Sequence, residues 1–146
     1  MWSVDVKIKT IFSEEEIEDL LNIYECDVLV NGHEPTDSLL KNTFVYVREE
    51  SDRFTEKIYD GELVQHYFVE YCTGASCDLH QDTGNVITTI TLLSDDYEGG
   101  ASMNEEETFI PKKGETVFYE PNELHGVEEV TGGSRIVYVS WYLKKH

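Results

Sequence analysis

Residues 78–92 read DLHQDTGNVITTITL. An imidazole, His80, and a carboxylate, Asp82, stand two positions apart, ahead of a glycine and a run of β-formers. Side chains two apart on an extended segment project from the same face, so this pair can converge on one small target. The natural target of an imidazole and a carboxylate held together is a metal ion. The run from Val86 to Leu92 that follows is rich in β-branched residues, and Val86, Thr88, Ile90 and Leu92 share one parity of a strand.

Downstream and upstream of this stretch the same texture recurs. LVQHYFVEY, ETFI, ETVFYE, HGVEEV and RIVYVSWYL are short alternating or β-branched runs, punctuated by TGAS, YEGG, PKKG, PNE and TGGS. Many short strands between glycine and proline turns predict a mainly β protein, a sandwich or jelly roll. Before them, SEEEIEDLLNIY opens with Ser13 as N-cap and Glu16 three residues on, followed by Ile17, Leu20, Leu21 and Tyr24 at helical spacing. A flanking helix with one buried face is expected there. Residues 31–40 read as a loop, TFVYVRE as a strand, and residues 52–61 follow neither period. No repeat or linker divides the chain, so one domain over residues 1–146 is expected, large enough to bury a core.

Acidic residues outnumber basic ones 30 to 11, for a net charge of −19. Phosphate backbones and anionic lipid would be repelled, which argues against nucleic-acid and membrane partners and leaves a basic peptide or protein acceptable. Clusters such as SEEEIED, REESD, SDDYE and NEEE read first as solvated faces, although SDDYEGGASMNEEET (residues 94–108) joins two core strands and could border a site mouth. MWSVDVKIKT alternates like a strand and has no signal-peptide pattern, and no apolar run is long enough to span a membrane, so a cytoplasmic location is expected. Cys26, Cys72 and Cys77 have no zinc spacing and are expected to be free thiols.

A metal needs a third ligand. His33 and His146 lie in a loop and at the end of the chain, and His66 within a strand reads as structural. His125 follows a Pro-Asn turn and begins a strand, so His80, Asp82 and His125 would supply two imidazoles and a carboxylate and leave adjacent positions open, as in non-haem iron(II) oxygenases. Arg135 is the only arginine after His80, and it shares a strand face with Val137, Val139 and Trp141. A cation on an apolar face requires an anion, which is either one of the chain's own carboxylates or a bound dicarboxylate, unless its stem carries the charge out to solvent.

Taken together, YCTGASCDLHQD, YEGGASM, PKKGETVFYEPNELHGVEEVTGGSR and SWY resemble the Fe(II)/2-oxoglutarate-dependent dioxygenases, in particular the prolyl 4-hydroxylase-like branch. The order is His-x-Asp, Gly-Gly, Pro-x-x-Gly, His, and Arg ten residues later. The resemblance implies a double-stranded β-helix with His80, Asp82 and His125 on iron and Arg135 on the far carboxylate of 2-oxoglutarate. It further implies a Tyr71 hydroxyl on that carboxylate, although Tyr71 reads equally as a core aromatic, and Thr88 could add a hydroxyl to the pocket. The implied reaction consumes dioxygen and 2-oxoglutarate, releases succinate and carbon dioxide, and hydroxylates a C–H bond in a peptide, protein or small molecule. Cys77 stands where the branch often has a tyrosine, and no substrate-binding domain is recognisable in the N-terminal half, so proline is not carried over as the target. A nucleic-acid demethylase, a cupin-like metal-binding module and a catalytically silent jelly roll are the competing readings.

The segment GVEEVTGGS between His125 and Arg135 sets a geometric condition. In a regular hairpin turning at Gly132-Gly133, strand alternation would put Arg135 on the face opposite His125. A wider odd-numbered turn or a bulge within residues 126–134 is therefore expected, with both side chains inward.

Overall fold

The computed structural model describes residues 7–31, 40–46, 52–82 and 84–144. Its elements are β1 (Lys7–Thr10), α1 (Glu14–Asn31), β2 (Leu40–Tyr46), α2 (Asp52–Ile58), β3 (Leu63–His80), β4 (Val86–Leu92), β5 (Tyr97–Gly99), β6 (Ser102–Asn104), β7 (Thr108–Phe109), β8 (Glu115–Tyr119), β9 (His125–Val127), β10 (Val130–Gly133) and β11 (Arg135–Leu143). All strand pairings are antiparallel. One curled sheet runs β1-β8-β4-β11-β3-β9-β6-β7, with β2 also on β3 and a separate β10-β5 ribbon. This is the double-stranded β-helix frame, with an N-terminal helix packed outside it.

The strand at the centre, β11, shows how sequence alternation makes two cores. Ile136, Tyr138 and Tyr142 point to one side, where they pack with Ile17, Leu20 and Tyr24 of α1 and with Phe54 and Ile58 of α2. Val137 and Val139 point to the other, among Val69, Tyr71, Cys77, Leu92, Val127 and Val130. Each fully buried leucine or phenylalanine on the helix side contributes roughly 1.5–3 kcal/mol, so the helix clamps the back of the sheet and leaves the other face to the site. The α1 cap forms as expected: the Glu16 amide donates to Ser13 Oγ and the Ser13 amide to the Glu16 carboxylate.

Several sequence expectations change. TGAS is no turn: β3 passes through it as one strand from Leu63 to His80, bending where Gly74 takes φ 91°. Residues Leu63–Tyr71 pair with β11, while Cys77 and His80 pair with β9, so one strand serves both layers. Residues 52–61 contain a helix, α2, whose Phe54 and Ile58 are buried. HGVEEV is two strands, β9 and β10, because its two halves find different partners, β9 on β3 and β6 and β10 on β5. No direct hairpin therefore joins His125 to Arg135; Val130 pairs with Gly99, and Arg135 with Tyr71. The expected irregularity is present as a register shift between Val130 and Gly132, and His125 and Arg135 are both buried. The loop read over residues 31–40, the N-terminal part of the first strand, and His33 and His146 lie wholly or largely outside the described residues.

Candidate active site

The end of β3 and the start of β9 meet at one rung, with His80 opposite His125 and their ring centroids 4.5 Å apart. Asp82 lies just past the end of β3, so its aim is not set by strand alternation; the Thr88 hydroxyl of β4 donates to its carboxylate and holds it. Asp82 faces both imidazoles, with His80 Nε2 3.5 Å and His125 Nε2 3.2 Å from its oxygens. One ligand atom from each of the three residues lies within 4.8 Å of the others, a spacing that suits a shared cation.

Backbone carbonyls fix the ring orientation of both histidines. His80 Nδ1 is 2.8 Å from the Asp78 carbonyl and His125 Nδ1 is 2.9 Å from the Glu123 carbonyl. With Nδ1 donating, the Nε2 atoms are the ones turned to the common point, which is how metal-binding histidines are usually held. The Glu123 carbonyl is aimed by the turn after Pro121, where Asn122 adopts φ 67°, a conformation that asparagine tolerates. Electrostatics agree with a site short of positive charge. The Asp82 hydrogen bond, aided by Cys77, raises the His80 pKa from 6.5 to about 10. Burial alone would raise the Asp82 pKa, but hydrogen bonds from His125, His80 and Thr88 hold it well below the usual carboxylate range.

A cavity of about 270 Å³ opens from these three side chains and is walled by Val69, Ile90, Val139, Tyr67 and Trp141. At its inner end Tyr71, Ser102 and Tyr119 also line it. Arg135 stands behind them, 1% exposed. Its Nη2 donates to Ser102 Oγ at 3.1 Å, and its guanidinium lies 5.1 Å from the centre of the Tyr71 ring. Nε and Nη1 have no hydrogen-bond partner among the described residues. Nor does any described carboxylate pair with it, and its burial excludes a stem reaching solvent. A buried guanidinium with Nε and Nη1 unpaired is costly unless an anion meets it, and a carboxylate is the anion its planar donors suit. The donor set thus suits a divalent cation at one end of the cavity and a carboxylate at the other.

The structure brings together His80, Asp82, His125, Arg135, Tyr71 and Thr88. Thr88 differs in detail, since its hydroxyl is engaged by Asp82 and so orients a candidate ligand. Tyr71 offers its ring to the Arg135 charge. His66 is away from the cavity and pairs through Nδ1 with the Tyr138 hydroxyl at 3.0 Å. Of residues 94–108 only Ser102 lines the cavity. Reading by spacing passed over Ser102, Tyr119 and Trp141 as site residues. Trp141 was visible on the Arg135 face, and its indole Nε1 is a buried donor without a partner among the described residues. Tyr119, on β8, could have been found only through its parity with Val117, since its partner His125 lies across a turn.

The profile of the 2OG-Fe(II) oxygenase superfamily matches residues 64–143. The chain belongs to that superfamily. Among curated proteins, the chain is 43% identical over 58 residues to a PKHD-type hydroxylase of Prochlorococcus marinus strain MIT 9301, covering 36% of this chain and 26% of that one. It is 30% identical over 93 residues to a PKHD-type hydroxylase of strain MIT 9312, covering 60% of this chain and 39% of the relative. The matches therefore span well under half the length of these curated relatives. Solved structures share the fold more widely. A Pseudomonas putida prolyl-4-hydroxylase superposes with TM-score 0.73 at 14% identity, over 97% of this chain and 93% of that one. HygX from Streptomyces hygroscopicus, crystallised with nickel and 2-oxoglutarate, gives TM-score 0.72 at 12% identity, over 96% and 83%.

Proposed function

We propose that this chain is an Fe(II)- and 2-oxoglutarate-dependent hydroxylase in which His80, Asp82 and His125 hold iron and Arg135 binds the far carboxylate of 2-oxoglutarate. The observation that carries the reading is the buried Arg135, with Nε and Nη1 unpartnered, set behind a cavity that presents three metal-competent ligand atoms at its other end. A cupin-like metal module has no need of such an arginine. Iron with 2-oxoglutarate and dioxygen supplies the oxidising chemistry, turning R–H into R–OH while 2-oxoglutarate becomes succinate and carbon dioxide.

The chain's own residues supply place and surroundings. Asp82, steadied by Thr88, and the two imidazoles, steadied by backbone carbonyls, would hold the cation at the end of the cavity beside which reactants bind. Arg135 sets the depth at which a five-carbon diacid comes to rest. Val69, Ile90, Val139 and Trp141 keep water from the reacting centre. Substrate enters from the side of His80 and Gln81, which are more exposed than the inner wall.

The substrate class follows by resemblance: a prolyl or other residue of a peptide or protein, as with the prolyl-4-hydroxylase neighbour, or alternatively a small molecule, since HygX has been crystallised with hygromycin B. A net charge of −19 favours a cationic substrate over a nucleic acid. Three free thiols fit a reducing, cytoplasmic setting, and among the described residues no helix is long and apolar enough to cross a membrane.

Incubation with iron(II), 2-oxoglutarate and air tests the proposal through succinate. The wild-type chain should form succinate, and Asp82→Ala should reduce it by at least about a hundredfold, because a carboxylate ligand is lost. Equal succinate from both proteins would remove Asp82 from the metal site.

A further inference from the structure

One wall of the cavity comes from β3, β11 and β4, and their register divides it into rungs. Arg135 pairs with Tyr71 at the inner end, Val137 with Val69 and Leu92 at the next inward rung, and Val139 with Tyr67 and Ile90 at the one after. Trp141, beyond them, stands opposite Thr88, the residue that holds Asp82. Tyr67 is thus four residues along β3 from Tyr71, on the order of 13 Å at about 3.3 Å per residue. It lies away from the anion end and toward the candidate metal ligands.

Tyr67 points inward, since Val69 and Tyr71, two and four residues on, line the same cavity. Its ring meets Trp141 edge to face, with centroids 6.0 Å apart and an interplanar angle of 77°, which gives the phenol a fixed direction. Among the described residues no hydrogen bond engages its hydroxyl, and unlike the indole nitrogen of Trp141 that hydroxyl is not sealed off. A tyrosine hydroxyl is protonated at neutral pH and offers one donor.

The wall around this donor is apolar, made by Ile90, Val139 and the ring of Trp141. Apart from His80, Asp82 and His125, no charged side chain among the described residues lines the cavity. An ammonium or carboxylate brought against this wall would lose its hydration without gaining a counter-charge, whereas a neutral carbonyl would complete the one open hydrogen bond. The net charge of −19 therefore acts on the parts of a substrate that stay outside, and not on the segment that reacts.

Resting on the reading of the chain as a hydroxylase, we propose that Tyr67 is a substrate-binding residue: its hydroxyl donates to the carbonyl oxygen of a neutral, otherwise apolar amide segment and sets that segment beside the metal ligands. A tyrosine present only to pack on Trp141 would need its ring and not its oxygen.

The test uses the full chain loaded with manganese(II) and 2-oxoglutarate, and reads the saturable relaxation of probe protons by the manganese and not turnover. The probes are N,N-diethylacetamide, which has one carbonyl and no charge, and triethylamine, which nearly keeps its shape, has CH2 in place of the carbonyl and is a cation at neutral pH. The wild-type chain should bind the amide in preference to the ammonium ion. Tyr67→Phe keeps the ring against Trp141 and should weaken the amide by about three- to tenfold, the effect of one hydrogen bond between neutral groups. It should leave manganese and 2-oxoglutarate affinity unchanged. No saturable relaxation of the amide by the wild type, wild-type amide affinity in Tyr67→Phe, equal loss of amide and 2-oxoglutarate, or an ammonium ion bound as tightly as the amide would overturn the proposal. Calorimetry with 2-oxoglutarate separates the two levels. If it binds the manganese-loaded wild type and Arg135→Gln weakens it, while Tyr67→Phe leaves the amide unaffected, only the role of Tyr67 falls. If it does not bind the manganese-loaded wild type, the hydroxylase reading falls and the role of Tyr67 with it.

Discussion

Asp82 is held from three directions, by Thr88, His80 and His125. The His80 pKa is raised to about 10, so near neutrality Nε2 carries a proton toward Asp82 that must leave before the nitrogen can ligate. The sign follows. A raised imidazole pKa stabilises the metal-free fold fully below the unfolded value near 6.5, and this contribution is lost as pH climbs through about 10. Metal affinity runs the other way. Between about pH 6 and about pH 9 manganese binding should tighten by about tenfold per pH unit, with about one proton released per ion. Titrations in buffers of different ionisation enthalpy would show it, and a pH-independent affinity would mean that the ion displaces no proton from His80. At this scale the sequence was readable where chemistry follows spacing. His80 and Asp82 are two apart, and Arg135 is ten after His125. Ser102 and Tyr119 were not readable, because the site reaches them through Arg135 and His125, partners distant in sequence.

The connection from β9 to β11 places Arg135 behind the residues that line the cavity. It does so by leaving the main sheet: β10 pairs with β5, the register shifts after Val130, and Gly133 takes φ 70° to return the chain to β11. A Cβ at Gly133 would lie 2.2 Å from the Asp96 carbonyl oxygen and 2.9 Å from Tyr97 Cα, so backbone must move to admit it. Gly133→Ala should destabilise the protein by at least about 1–3 kcal/mol for the left-handed conformation alone. It should also weaken 2-oxoglutarate binding more than metal binding, because Arg135 is two residues away whereas the candidate ligands sit on β3, β9 and the loop before β4. Thermal unfolding with paired calorimetry would check both, and an unchanged midpoint would show that the ribbon does not hold Arg135. The parity argument on GVEEVTGGS predicted an irregularity but not a change of sheet. Alternation along a strand reports which face is buried and not which strand lies beside it. The same limit explains TGAS, where glycine marks a bend inside β3 and not a turn, and residues 52–61, whose buried Phe54 and Ile58 make sense only against the back of the sheet.

At the scale of the whole molecule, the two faces of the curled sheet have separate tasks. The helices and the tyrosine-rich cluster fix its back, and the opposite face presents a cavity with a cation-competent end and an anion-competent end. The mainly β composition and the capped helix were legible because each is a local pattern of burial. The long-range pairing of β3 with both β11 and β9, which brings those ends into one cavity, was available only through resemblance. The central claim is that metal and dicarboxylate occupy this one cavity together, and therefore bind with mutual dependence. Calorimetric titration of 2-oxoglutarate into the chain with and without manganese(II) tests it most directly. The account predicts one equivalent bound to the metal-loaded protein, at least about tenfold more tightly than to the metal-free protein. Equal affinity in the two titrations would contradict it.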